Sequence, residues 1–195
     1  ECVDISWQVE WPGQEVVRAE VEVFAGVVHD VLTDAIEPGA LRGLYYKGSS
    51  AKAWDSALDY VPEISDVAFH VWLRSDDDVD AVFGSLDLAF DVQAKLERVY
   101  LDRVSSPVHI PRPQIVIMNR LLAKPDYTPP APHQDRVLVG EPSPSATYDA
   151  VAIRRTDCKM VLSHDNYIKT LPGSVIDKPG RLIWDSLRIL CFRVS

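Results

Sequence analysis

The stretch YYKGSSAKAWDSALDYVPEISDVAFHVWL, residues 45–73, decides how the chain is read. It begins at the end of an apolar strand, LRGLYYK at 41–47, and passes through a Gly-Ser turn at 48–50. A short helix is expected from about Ser49 to Leu58. An irregular link broken by Pro62 then leads into a second strand, DVAFHVWL at 66–73, rich in β-formers. A strand, a turn of small residues and a helix N-terminus aim backbone N–H groups at an anion. Gly48 lets the backbone come close to such a group, because it has no Cβ in the way. Ser49 and Ser50 add hydroxyls, and Lys47 or Lys52 can add positive charge. Alternate strand positions share a face, so Asp66, Ala68 and His70 point the same way.

Working outward, residues 14–35 repeat apolar side chains at three- and four-residue steps (Val17, Val21, Phe24, Val28, Val31, Leu32, Ala35), the pattern of one helical stripe. EPGA at 37–40 ends that helix. After the second strand, RSDDDVD is a charged turn whose acids suit a helix N-terminus. Residues 79–102 read as a single long amphipathic helix through Val82, Leu86, Ala89, Phe90, Leu96, Val99 and Tyr100. PRPQIVIMNRLL, 111–122, reads as a third, buried strand. Nine of the fourteen prolines fall in 107–144, and 123–147 is expected to be a Pro-rich linker. A helix is expected over 148–171, a break at PGSVID, and a last helix capped by Asp177. The fold class that follows is α+β, with domains at 1–122 and 148–195.

Helix, strand, Gly-Ser turn, helix, acid-bearing strand, helix, strand is an order that resembles the nucleotidyltransferase superfamily. That superfamily includes DNA polymerase beta, aminoglycoside nucleotidyltransferases and the minimal nucleotidyltransferases. The resemblance covers roughly residues 14–122. It implies a mixed sheet flanked by helices, with a C-terminal helical segment that closes over the cleft. It also implies a nucleoside triphosphate substrate, held at Gly48, Ser49, Ser50 and Lys52. Mg²⁺ (or Mn²⁺) ions would bridge the attacking and leaving oxygens, held by an Asp-x-Asp pair and a third acid on the neighbouring strand. Arg154, Arg155, Lys159, Lys178, Arg181 and Arg188 become candidates for triphosphate or acceptor contacts.

The sequence departs from that pattern at two places. Asp66 matches the first acid, but Ala68 stands where the second is expected. On the third strand Gln114 and Asn119 are the polar side chains, and both are weaker magnesium ligands than carboxylates. His70 lies two residues deeper and reads as a core histidine. Ala68 then has three explanations: an engineered inactivation, natural loss in a protein that still binds nucleotide, or replacement by Asp55, Asp59 or Glu63 from the link. Activity is expected to be reduced or absent. The competing functions are nucleotidyl transfer to a small molecule, RNA end or protein, a degenerate nucleotide-binding module, and a structural protein reusing the fold.

Composition is that of a globular protein, 47% hydrophobic and 25% charged. No apolar run reaches the ~18 residues of a membrane span, and no leader pattern is visible, so a cytoplasmic location with no membrane partner is expected. Cys2, Cys158 and Cys191 are too scattered for a disulfide framework or zinc site. The net charge of −9 argues against a broad nucleic-acid footprint. It is uneven, with residues 150–195 at +4 and the rest at −13. The ends, ECVDIS and CFRVS, carry no initiator Met and suit a piece of a longer chain.

Overall fold

The computed structural model describes residues 12–55, 59–62, 65–124, 127, 135–144 and 150–176. The chain divides into two compact units, Glu1–Arg120 with His133–Ser143, and Leu121–Pro132 with Pro144–Ser195. The first unit is α+β, a four-stranded mixed sheet flanked by helices, as expected.

Helix α1, Gln14–Ala35, buries the apolar stripe that its spacing predicts, with Val21, Val28 and Leu32 fully enclosed. Ala35 is exposed and Ile36, just past the helix, takes the inward position. The chain then turns through Gly39, at φ +82°, into β1, Leu41–Lys47. Strand β2, Asp66–Leu73, lies antiparallel to β1, with Lys47 opposite Ala68 and Tyr45 opposite His70.

Past β2, Ser75 caps α2, Asp76–Phe83, by accepting from the Asp78 N–H at 3.2 Å. Asp76, Asp77 and Asp78 therefore sit inside the first turn, where they complement the helix dipole. The single helix expected over 79–102 is two. Gly84 ends α2, and Ser85 caps α3, Leu86–Arg103, through the Leu88 N–H at 3.2 Å. The new start changes the helical phase. Leu96 and Tyr100 stay in the core, while Leu86 and Phe90 are 74% and 65% exposed.

The two helices make the crossover that a parallel neighbour requires. Strand β3, Arg112–Ile117, pairs parallel with β2, placing Arg112 beside Asp66 and Gln114 beside Ala68. It is shorter than expected, because Met118–Leu122 is a helical turn, α4. Asn119 on α4 accepts from the Leu73 N–H and donates to the Leu73 carbonyl, both at 3.0 Å, tying α4 to the end of β2.

A fourth strand, β4, Asp135–Gly140, lies within the stretch expected to be linker. It runs antiparallel to β1 and completes the order β3-β2-β1-β4. Arg136 fastens it by donating to both carboxylate oxygens of Glu22 on α1, at 3.2 and 2.7 Å, with its guanidinium over the Tyr46 ring.

In the second unit, α5, Ala150–Leu162, and α6, His164–Ile176, replace the one helix expected over 148–171. The expected break at PGSVID lies largely inside α6, which holds Pro172. The last expected helix, its Asp177 cap, Lys178, Arg181 and Arg188 lie outside the described residues, as do Leu58 and Glu63.

Candidate functional site

The two faces of the sheet differ in chemistry. Leu44, Tyr46, Val67, Phe69, Val71 and Leu73 face α1 and α3 and form the core. The alternate set, Tyr45, Lys47, Asp66, Ala68, His70, Gln114 and Asp135, points the other way. Cross-strand neighbours line up as one row over four strands: Gln114, Ala68, Lys47, Asp135.

Gly48 closes β1 at φ +83° and ψ −170°, a conformation essentially confined to glycine. A Cβ built there would lie 3.5 Å from the Ala68 Cβ, so the turn sits directly beside the alanine. The helix expected from Ser49 to Leu58 is instead a single 3-10 turn, Ser49–Ala51. Trp54 explains the early stop: its indole N–H donates to the Ser49 carbonyl at 3.2 Å, and its ring stacks on Tyr60 at 4.9 Å.

Ser49 is half-buried at the turn. Ser50 is 2% exposed; its carbonyl accepts from the Tyr46 hydroxyl at 2.6 Å on the core side. Lys52 is exposed beyond the turn, and its backbone N–H bonds back to Ser49. Asp66 is half-buried with Arg112, a cation, directly across from it. Gln114 is exposed at the end of the row. Asn119 serves the sheet, away from the row. Arg154, Arg155 and Lys159 are exposed on α5.

At the centre of the row Lys47 donates to Nε2 of His70 at 3.2 Å. An ammonium can only donate, so His70 is the neutral tautomer with its proton on Nδ1. Burial, with the Lys47 charge beside it, pushes the His70 pKa down to about 4. That Nδ1 is enclosed and has no hydrogen-bond partner. Burial also lowers the Lys47 pKa, and the Asp135 charge partly opposes this. Burial raises the carboxyl pKa of Asp135 against the pull of Lys47 and of the Ser143 hydroxyl. Both Asp135 oxygens are enclosed without a hydrogen bond of normal geometry. Asp135 escaped the sequence reading because its strand lies among prolines; the alternation in DRVLVG was the available signal.

This donor set does not fit a two-magnesium centre. Magnesium takes oxygen ligands at about 2.1 Å in octahedral order. Asp66 and Asp135 are separated by β1, two strand spacings or about 10 Å across the sheet, and are offset by two residues along it. Between them stand an alanine and an ammonium. Among the described residues, no group of three or more His, Cys, Asp or Glu side chains is placed to hold a metal ion. Asp55 and Asp59 do not assemble one with Asp66.

Two cavities lie elsewhere in the first unit. A groove of about 280 Å³ runs between α3 and β3, lined by Phe83, Val92, Pro113, Ile115 and Ile117. A smaller one of about 110 Å³ is lined by Val17, Trp54, Tyr60 and Pro62. Among the described residues no helix is long and apolar enough to cross a membrane. No protein-family model matches the sequence, and no curated protein matches it.

Proposed function

We propose that this protein is a nucleotide-binding module on a nucleotidyltransferase-like scaffold, holding the phosphate-bearing end of its ligand without transferring it. One observation carries the reading: a glycine-only turn at Gly48 lies against Ala68, in the row that holds the Lys47 ammonium. A turn of that shape admits an anion to the backbone, and the ammonium supplies the opposite charge. The same row holds one carboxylate, Asp135, and an alanine where the second acid of the Asp-x-Asp pair would stand.

Nucleotidyl transfer to a small molecule, RNA end or protein is the second reading. It is supported by Asp66 and the Gly48 turn occurring together, and it requires an acid restored at position 68. Calorimetric titration with each of the four nucleoside triphosphates, in Mg²⁺ and in EDTA, separates the two. Saturable binding that is weakened several-fold by Gly48→Ala is the expected result. Failure of every nucleotide to bind sinks both readings, and labelled nucleotide appearing on an acceptor sinks the first.

A further inference from the structure

The enclosed polar atoms on the site face raise a question that the loss of acids does not answer. A neutralised metal site would be expected to close over with apolar side chains, since unpartnered polar groups are costly to bury. Here three polar groups remain beside one another in the sheet: the Lys47 ammonium, bonded to the His70 ring, that ring with its Nδ1 unmet, and the Asp135 carboxyl, with neither oxygen in a hydrogen bond of normal geometry. Lys47 is half-buried, and among the described residues no ion pair includes it, even though Asp135 is its cross-strand neighbour. Its Nζ leans the other way, over β2, to His70.

Position 68 sits directly across from Lys47. Side chains at such positions have Cβ atoms about 5 Å apart, close enough for opposite charges to pair. An aspartate at 68 would therefore capture the ammonium. With alanine there, the positive charge has no carboxylate on that side, and Lys47 directly precedes the Gly48 turn that packs against Ala68. His70 adds a second donor, because the proton on its Nδ1 has no acceptor although the residue is 4% exposed.

We infer that the Lys47 ammonium takes the place a divalent cation would hold, so that the site binds a phosphate-bearing ligand without metal, and that Ala68 is what keeps the ammonium available. The inference rests on the phosphate-binding reading above and adds the agent of binding. Ala68 becomes a requirement of the site rather than a gap in it. Restoring the acid then has a consequence opposite to repair: it neutralises Lys47 internally and weakens binding.

The test is titration of the intact chain with inorganic triphosphate and with ATP, each in EDTA and in excess Mg²⁺, comparing the unaltered protein with Ala68→Asp, Lys47→Met and Lys47→Arg. Thermal melts of each variant check that it is folded. The expected pattern is affinity in EDTA at least equal to that in Mg²⁺, a tenfold or greater loss in Lys47→Met, and a comparable loss in Ala68→Asp. Lys47→Arg, which keeps the charge, should stay within a few-fold of the unaltered protein. Binding that needs Mg²⁺ overturns the inference while leaving the nucleotide reading intact. So does an Ala68→Asp protein that binds more tightly in Mg²⁺ or releases pyrophosphate. If neither probe binds any of the four proteins, the inference falls together with the reading beneath it.

Discussion

Glu20 and Asp135 are two enclosed carboxylates on opposite sides of one sheet, and their surroundings could hardly differ more. Glu20, on α1, accepts the Val108 N–H on both oxygens at 3.0 Å and the Tyr100 hydroxyl at 3.3 Å. Nearby, Tyr60 and Nε2 of His109 are 2.9 Å apart, so a buried polar chain joins α1, α3 and the segments before β2 and β3. Asp135, on β4, has neither oxygen in a hydrogen bond of normal geometry. A carboxylate that is fully met by its own protein holds the fold together. One that is left unmet costs stability, and such a cost is tolerated where a ligand completes the bonding.

The contrast can be broken most sharply at Glu20. Glu20→Ala leaves the part-buried Val108 N–H without its acceptor and the Tyr100 hydroxyl with the His109 carbonyl alone of its two acceptors, and should lower stability by about 2 kcal/mol. Glu20→Gln keeps one acceptor and should cost about 1 kcal/mol. Urea unfolding midpoints measure both, and a Glu20→Ala protein as stable as its parent would refute the anchoring role.

On the other face, acid should act through His70. Its pKa is 6.5 in the unfolded chain and about 4 in the folded one. The folded state therefore resists the proton, and stability is full above pH 6.5 and drains away as pH falls toward 4. Allowing for partial solvation, the loss attributable to His70 is on the order of 1 kcal/mol. Unfolding curves between pH 7 and 4 should show a shallower decline in His70→Asn; an identical slope would remove His70 as the cause.

The smallest effect is expected at Asp135, with the opposite sign to Glu20. Its carboxyl pKa is raised in the folded state, so the folded protein prefers the protonated form. The penalty of the charge is present at neutral pH and disappears as pH falls through the raised value. Asp135→Asn should therefore stabilise the free protein at neutral pH by roughly 0.5 kcal/mol, and the gain should vanish in acid. Destabilisation at neutral pH would mean that Asp135 is already satisfied.

What the sequence discloses follows the range of the interactions. Strands β1 and β2 and helix α1 could be placed because their apolar periodicity is local. The break between α2 and α3 was also written locally, in Gly84 and the capping Ser85, but the continuing apolar spacing masked it. The end of β3 was not legible, because a run such as IVIMNRLL suits strand and helix alike; what accompanies the change is the bond from Asn119 to Leu73, 46 residues away. The short turn at Ser49 likewise ends on a ring stacked against Tyr60. For the site, Gly48 and Lys47 were legible as parts of a turn, and Ala68 as the strand position two past Asp66. Their alignment with Asp135 was not, since it depends on a pairing between strands roughly 90 residues apart.

That pairing also imposes an order on assembly. Residues 41–73 can form their antiparallel ladder early, whereas β4 must return across a long intervening segment before it can dock on β1. Until it does, β1 presents an open edge whose amide and carbonyl groups are a template for any other strand. Arg136, reaching both Glu22 and the Tyr46 ring, is the latch that favours the chain's own strand in that competition. Refolding at high protein concentration is therefore the condition under which this sheet is most exposed to mispairing, and the ammonium of Lys47 acquires its carboxylate neighbour only at the final step.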